Sequence, residues 1–220
     1  MKLAASFAAV GLVVVLGAAA GAPFPDPSED EPLAAQSGRE TIVLAGGCFW
    51  GVQAVFQHTK GVLTATSGYA GGTAKNPSYE LVSSGTTGHA ESVQVVYDPA
   101  QISLGRLLKV FFSVAHDPTQ LNRQGPDEGT QYRSMVLASN DRQAEIARAY
   151  IRQLDAAKIF RGRIVTQVAP LGAFYRAEAY HQDYVYQHPF EPYIVINDRP
   201  KVENLKKRYP DIYVDKRSAF

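Results

Sequence analysis

One cysteine, Cys48, and one tryptophan, Trp50, are all that this chain of 220 residues has of either. A single cysteine excludes an internal disulfide. It leaves a thiol that is inert in the core, retained for its reactivity, or paired between chains. Charge of one sign is lacking too, with 22 basic against 21 acidic residues and a formal net charge of +1. That balance excludes the strong field of a nucleic-acid binder or of a protein built for acidic partners. Histidines at ligand spacing are missing, since His116 has only Asp117 beside it, so no metal site is expected. No internal repeat is evident.

Long hydrophobic runs are likewise absent. The N-terminal stretch "MKLAASFAAVGLVVVLGAAAGA" has one early lysine, an apolar run from Ala8 to Leu16 and small residues at Ala18, Ala20 and Ala22. The run is short for a spanning helix, which needs about 20 residues, and the pattern is that of a signal peptide over residues 1–22. An exported protein, periplasmic or secreted, is expected, the alternative being an anchor retained in the membrane. Residues 23–40, rich in proline and acids, read as a disordered tether. The remainder, 41–220, holds enough apolar residues for one domain around one core.

"TIVLAGG" reads as a buried strand ended by glycines, and "CFWGVQAVFQH" as a helix with Val52, Val55 and Phe56 on one face. Strands are expected at "GVLTATSGYAGG", "ESVQVVYDP", "YRSMVLAS" and "IVTQVAPL". Helices are expected at "SLGRLLKVFFSVAH" with Ser103 as N-cap, "DRQAEIARAYIRQLDAA", "AEAYHQDYVYQH" and "KVENLKKRY". The stretches 73–90 and 117–131 read as polar loops. Strands and helices alternate without a regular repeat, which points to an α+β two-layer sandwich.

Cys48 falls at a strand-to-helix junction. Unpaired N–H groups of a first turn stabilise a thiolate and are expected to lower the thiol pKa. The flanking glycines would let another molecule approach the backbone. Phe49 and Trp50 are either core anchors of the helix or walls of an apolar pocket beside the sulfur. Glu91, after a glycine loop, is either an exposed loop residue or a carboxyl whose pKa is raised by apolar walls and a nearby thiolate, fit to act as an acid near neutrality. Tyr132 and Arg133 read alone as ordinary strand residues.

Together "GGCFWG", "GYAGG", "YELVSSGTTGHAESVQVVYDP", "HDPTQLNRQGPDEGTQYRS" and "AEAYHQDY" resemble, in order from about Thr41 to Tyr209, the A-type peptide methionine sulfoxide reductase family. The resemblance implies a mixed sheet with flanking helices around a ferredoxin-like core. It also implies reduction of the S epimer of methionine sulfoxide, free or in proteins, as a repair of oxidised proteins. By the matched motifs Cys48 is the nucleophile, Glu91 the proton donor, and Tyr79 and Tyr132 hold the sulfoxide oxygen. Phe49 and Trp50 cage the methyl, Asp127 holds the substrate backbone, and His181 and Tyr184 line the cleft.

The chain departs from many members of that family in having no C-terminal cysteine. In the tail "YQHPFEPYIVINDRPKVENLKKRYP", Tyr193 and its neighbours occupy the region. It therefore resembles the single-cysteine subgroup, in which an external thiol reduces the sulfenic acid left on Cys48 through a mixed disulfide. A thioredoxin-like or glutaredoxin-like protein and a small thiol are all compatible. No bound cofactor, no metal and no nucleic acid are expected, and the chain is expected to be a monomer. The rival enzyme is a papain-like thiol protease, because His181 lies 133 residues after Cys48 and Asn197 follows. A module gripping methionine-rich peptides through Phe49 and Trp50 is the rival without catalysis. A peroxide-reducing protein would want an arginine and a threonine beside the sulfur, which "GGCFWG" does not offer.

Overall fold

A computed structural model describes residues 24–215, so the expected signal segment lies outside the described residues. In chain order the elements are β1 (Glu40–Gly46), α1 (Phe49–Gln57), β2 (Val62–Ala70), α2 (Tyr79–Ser83), β3 (Ala90–Tyr97) and α3 (Leu104–Val110). There follow β4 (Arg123–Gln124), β5 (Asp127–Glu128), β6 (Ser134–Ala138), α4 (Asp141–Ala156), β7 (Gln167–Pro170), β8 (Phe174–Arg176), α5 (Tyr184–Gln187) and α6 (Arg199–Arg208). Short π-helical turns extend α3 over Phe111–Ala115 and precede α6 over Ile194–Asp198.

The main sheet has the order β7-β6-β1-β3-β2-β8. Its four inner strands are antiparallel neighbours joined as β-α-β-β-α-β through α1 and α3, which is the expected ferredoxin-like core. The parallel pairing of β7 with β6 makes the sheet mixed. The unbroken apolar run Ile42–Ala45 has no accessible surface, because β1 is central and covered on both faces. Ile42 and Leu44 face the principal core under the helices with Val93, Val95 and Val136, while Val43 and Ala45 face a smaller cluster with Met135 and Leu137. The alternation of Val93, Val95 and Tyr97 in β3 survives as three buried side chains. Ser103 caps α3 by accepting from the Arg106 N–H, as its position predicts.

Three expectations are corrected. The stretch 24–40 is not a free tether but a strap against α3 and α4. Phe24 meets Phe160 edge-on at 6.0 Å between centroids, and Tyr150 Oη donates to Pro25 O at 2.7 Å. Lys109 Nζ lies 2.6 Å from Asp26, and Asp30 accepts from Gly105 N at 2.9 Å, at the start of α3. The strap is held by carboxylates meeting a helix start and a lysine, which leave no hydrophobic periodicity to read. The polar loop 73–90 contains α2, capped by Ser78. Finally, "AEAYHQDYVYQH" is not one helix. Asp183 is left-handed at φ +56°, and the segment splits into a 3₁₀ turn, Ala179–His181, and α5. The buried amide of Gln182 causes the break: its oxygen accepts from Ser67 N and Gln53 Nε2, and its nitrogen donates to Ser67 O and Ala177 O.

Candidate active site

The site forms where β1 hands over to α1. Gly47 turns the chain at φ +87°, and Cys48 stands at the N-cap of α1, 7% exposed. The glycines serve the protein's own packing rather than an approaching molecule. A Cβ on Gly47 would lie 2.5 Å from the Gln124 side chain, and one on Gly51 would lie 2.1 Å from Asp198 Oδ1.

Glu91, near the start of β3, is buried at 3% exposure, and its Oε2 accepts from Phe49 N at 3.1 Å. A first-turn amide of α1 thus ties the carboxyl to the residue after Cys48. Burial, with the charges of Asp127 and Asp198 behind it, pushes the Glu91 pKa up to about 8 against the pull of that N–H. The expected raised carboxyl is present.

The expected lowered thiol is not. Burial pushes Cys48 well above its ordinary value, and the charges of Glu91 and Asp198 add to this. The Trp50 N–H and Lys201 act in the opposite direction and do not prevail. A helix terminus holds only a partial charge, whereas desolvation and two carboxylates act with full strength. With Glu91 protonated near neutrality, one of those two carboxylate charges is absent.

Around this pair the other motif residues converge. Trp50 Nε1 donates to His181 Nδ1 at 3.1 Å, and the indole stacks on Tyr184 at 3.7 Å and 5°. Tyr79 lies 4.5 Å, centroid to centroid, from His181, and Phe49 lies 5.0 Å from it. Phe49 is 1% exposed and belongs to the principal core, as an anchor of the helix does, while Trp50 is only partly buried against that core. Tyr132 ends a 3₁₀ turn at Thr130–Tyr132; burial raises its pKa, and the charges of Glu91, Tyr79, Asp127 and Cys48 act on it. Asp127 accepts from the Tyr193 hydroxyl, and Tyr193 stands edge-on to Trp50 at 5.9 Å and 87°. Burial raises the Asp127 pKa against that hydroxyl and Lys201.

Four groups escaped the sequence reading. The sequence shows the place of Tyr193 in the tail but not its bond to Asp127. Glu178 accepts from Tyr69 Oη at 2.8 Å and from Tyr79 N at 3.0 Å, which fixes the start of α2. Asp198 is fully buried, with Lys201 Nζ 3.0 Å from its Oδ1. An Asp and a Lys three residues apart at the start of a helix give no sign that they face another helix.

His181 engages Nδ1 with Trp50, and burial lowers its pKa, which makes it a neutral aromatic spacer rather than the base of a thiol protease. Asn197 donates to Tyr193 O within its own turn, so the protease reading has neither partner for Cys48. His116 is also structural: burial lowers its pKa to about 4, and it sits between Phe111 O at 3.1 Å and Ser134 Oγ at 2.7 Å.

A family model described as peptide methionine sulfoxide reductase matches residues 40–212. The chain is 57% identical over 182 residues to peptide methionine sulfoxide reductase MsrA 2 of Mesorhizobium japonicum, covering 83% of this chain and 93% of that one. It is 47% identical over 208 residues to the MsrA 2 of Synechocystis sp., covering 92% and 97%. Among solved structures, methionine sulfoxide reductase A of Corynebacterium diphtheriae superposes with a TM-score of 0.63 at 41% identity, covering 71% of this chain and 78% of that one.

Proposed function

Because the chain belongs to the peptide methionine sulfoxide reductase family, we propose that it reduces the S epimer of methionine sulfoxide, free and in oxidised proteins, with Cys48 as nucleophile and Glu91 as acid. The observation that carries this reading is the Glu91 carboxyl, buried beside Cys48, tied to Phe49 N and titrating at about 8. A carboxyl that keeps its proton near neutrality can give it to a sulfoxide oxygen as that oxygen becomes a leaving group.

In the proposed cycle Cys48 Sγ bonds to the substrate sulfur while Glu91 protonates the oxygen, with the Tyr79 and Tyr132 hydroxyls holding that oxygen. Oxygen then passes to Sγ, methionine leaves and Cys48 is a sulfenic acid. An external thiol attacks Sγ, water departs, and a mixed disulfide forms. A second thiol takes the reductant's sulfur and returns Cys48. Trp50 and Tyr184 provide apolar surface for the methyl, with Phe49 anchoring the helix behind them, and Asp127 and His181 bind the rest of the substrate. Oxygen and lone pair exchange places between the epimers, so a donor on one side and an aromatic wall on the other discriminate them.

The test is turnover of the two separated epimers with dithiothreitol, then with thioredoxin. Reduction of the S epimer alone, abolished in Cys48→Ser, is expected. Equal turnover of both epimers would overturn the stereochemical assignment, and activity in Cys48→Ser the mechanism.

A further inference from the structure

The groups facing Cys48 are mostly anionic or able to become so. Glu91 comes from β3, Tyr79 from α2, Tyr132 from the 3₁₀ turn, and Tyr184, Tyr193 and Asp198 from the C-terminal segment. A thiolate formed there would have little to balance it. Among the described residues, the cation whose charge acts on Cys48 is Lys201 of α6.

Its placement is built by three residues. Asp198 is fully buried, its Oδ1 lies 3.0 Å from Lys201 Nζ, and its Oδ2 has no hydrogen-bond partner. Both groups rest on Gly51 in the first turn of α1, three residues after Cys48: a Cβ there would lie 2.1 Å from Asp198 Oδ1 and 2.9 Å from Lys201 Nζ. Residues three apart share a helix face, so the bare face of Gly51 admits the ion pair one turn below the sulfur. The Lys201 side chain is 18% exposed, which leaves its charge only partly screened by water. A buried ion pair rarely stabilises a fold more than apolar packing of similar volume would, so its presence at this spot points to a task other than stability.

We propose that Lys201, held by the buried carboxylate of Asp198 against the glycine face of α1, is the counter-cation of the Cys48 thiolate. The thiolate occurs twice in the proposed cycle, at attack on the sulfoxide and when the mixed disulfide breaks with its electron pair staying on Cys48. A chain without a second cysteine has no internal partner to assist that release, and Lys201 supplies the charge. The residue is a positioning and electrostatic element, since it acts on the sulfur through space. The proposal rests on Cys48 being the reactive group, yet its test needs no sulfoxide.

The test is the pH profile of Cys48 alkylation by iodoacetamide in the full chain. Lys201→Met is expected to move the profile up by about one pH unit and slow alkylation about tenfold below the midpoint. Lys201→Arg is expected to keep it near that of the wild type. Asp198→Asn, which removes an anion while its amide oxygen can still accept from Lys201 Nζ, is expected to move it down. Opposite shifts support the assignment, because loosening of the fold would move both profiles the same way. Superposable profiles, or shifts of one sign, overturn it, and Lys201→Gln, which also removes the charge, takes the place of Lys201→Met if that variant does not fold. Failure here with intact S-epimer reduction would remove the role of Lys201 alone.

Discussion

Glu91 concentrates the conflict between stability and activity in one side chain. Its pKa stands at about 8 in the fold against an ordinary 4.5, so the fold favours the protonated form. The contribution of that proton is complete below pH 4.5 and is lost as pH rises through about 8. Glu91→Gln keeps an acceptor for Phe49 N and removes the titration. It is expected to stabilise the protein at neutral pH by on the order of 3 kcal/mol, read by urea denaturation, while sulfoxide reduction falls at least about 100-fold. In the wild type the Glu91-dependent rate is expected to decline as pH passes about 8. Gly51→Ala tests the other side of Cys48: its Cβ would stand 2.1 Å from Asp198 Oδ1. A loss of about 1–3 kcal/mol is expected, with slower alkylation of Cys48 as Lys201 is displaced.

At the scale of elements, the site depends on how short segments are pinned. α2 delivers Tyr79 because Ser78 caps it and Glu178 accepts its first N–H. The 3₁₀ turn and α5 deliver His181 and Tyr184 separately because Gln182 holds extended backbone between them against β2 and α1. Gln182→Ala is expected to cost about 1–3 kcal/mol for each buried group left unpaired. It should also weaken substrate binding, visible as a rise in KM, since His181 and Tyr184 lose their relative placement. At the opposite end of the domain, Asp30→Ala removes the acceptor for Gly105 N and is expected to lower stability by about 1 kcal/mol with kcat unchanged. That pairing of outcomes, read by thermal melting and steady-state kinetics, separates the strap from the site.

For the whole molecule, one thiol in 220 residues makes the stoichiometry of the cycle simple. Without a reductant each chain is expected to convert one equivalent of sulfoxide and stop, with one oxygen added to Cys48 by intact mass. Turnover beyond one equivalent in the absence of thiol would contradict the scheme. The sequence by itself determined the order of the main strands and long helices, because these carry their own periodicity, and the resemblance of its motifs implied the ferredoxin-like core. The matched motifs also implied the list of residues, Cys48, Glu91, Tyr79, Tyr132, Asp127, His181 and Tyr184, which the fold brings into one site. The tertiary structure alone decided which way the Cys48 thiol titrates, since burial and the charges of Glu91 and Asp198 come from strands and turns distant in sequence. It alone turned residues 24–40 into a strap and placed Asp198 and Lys201 on Gly51. Those contacts are long-range and polar, and polar pairs between distant segments have no period along the chain from which they could be read.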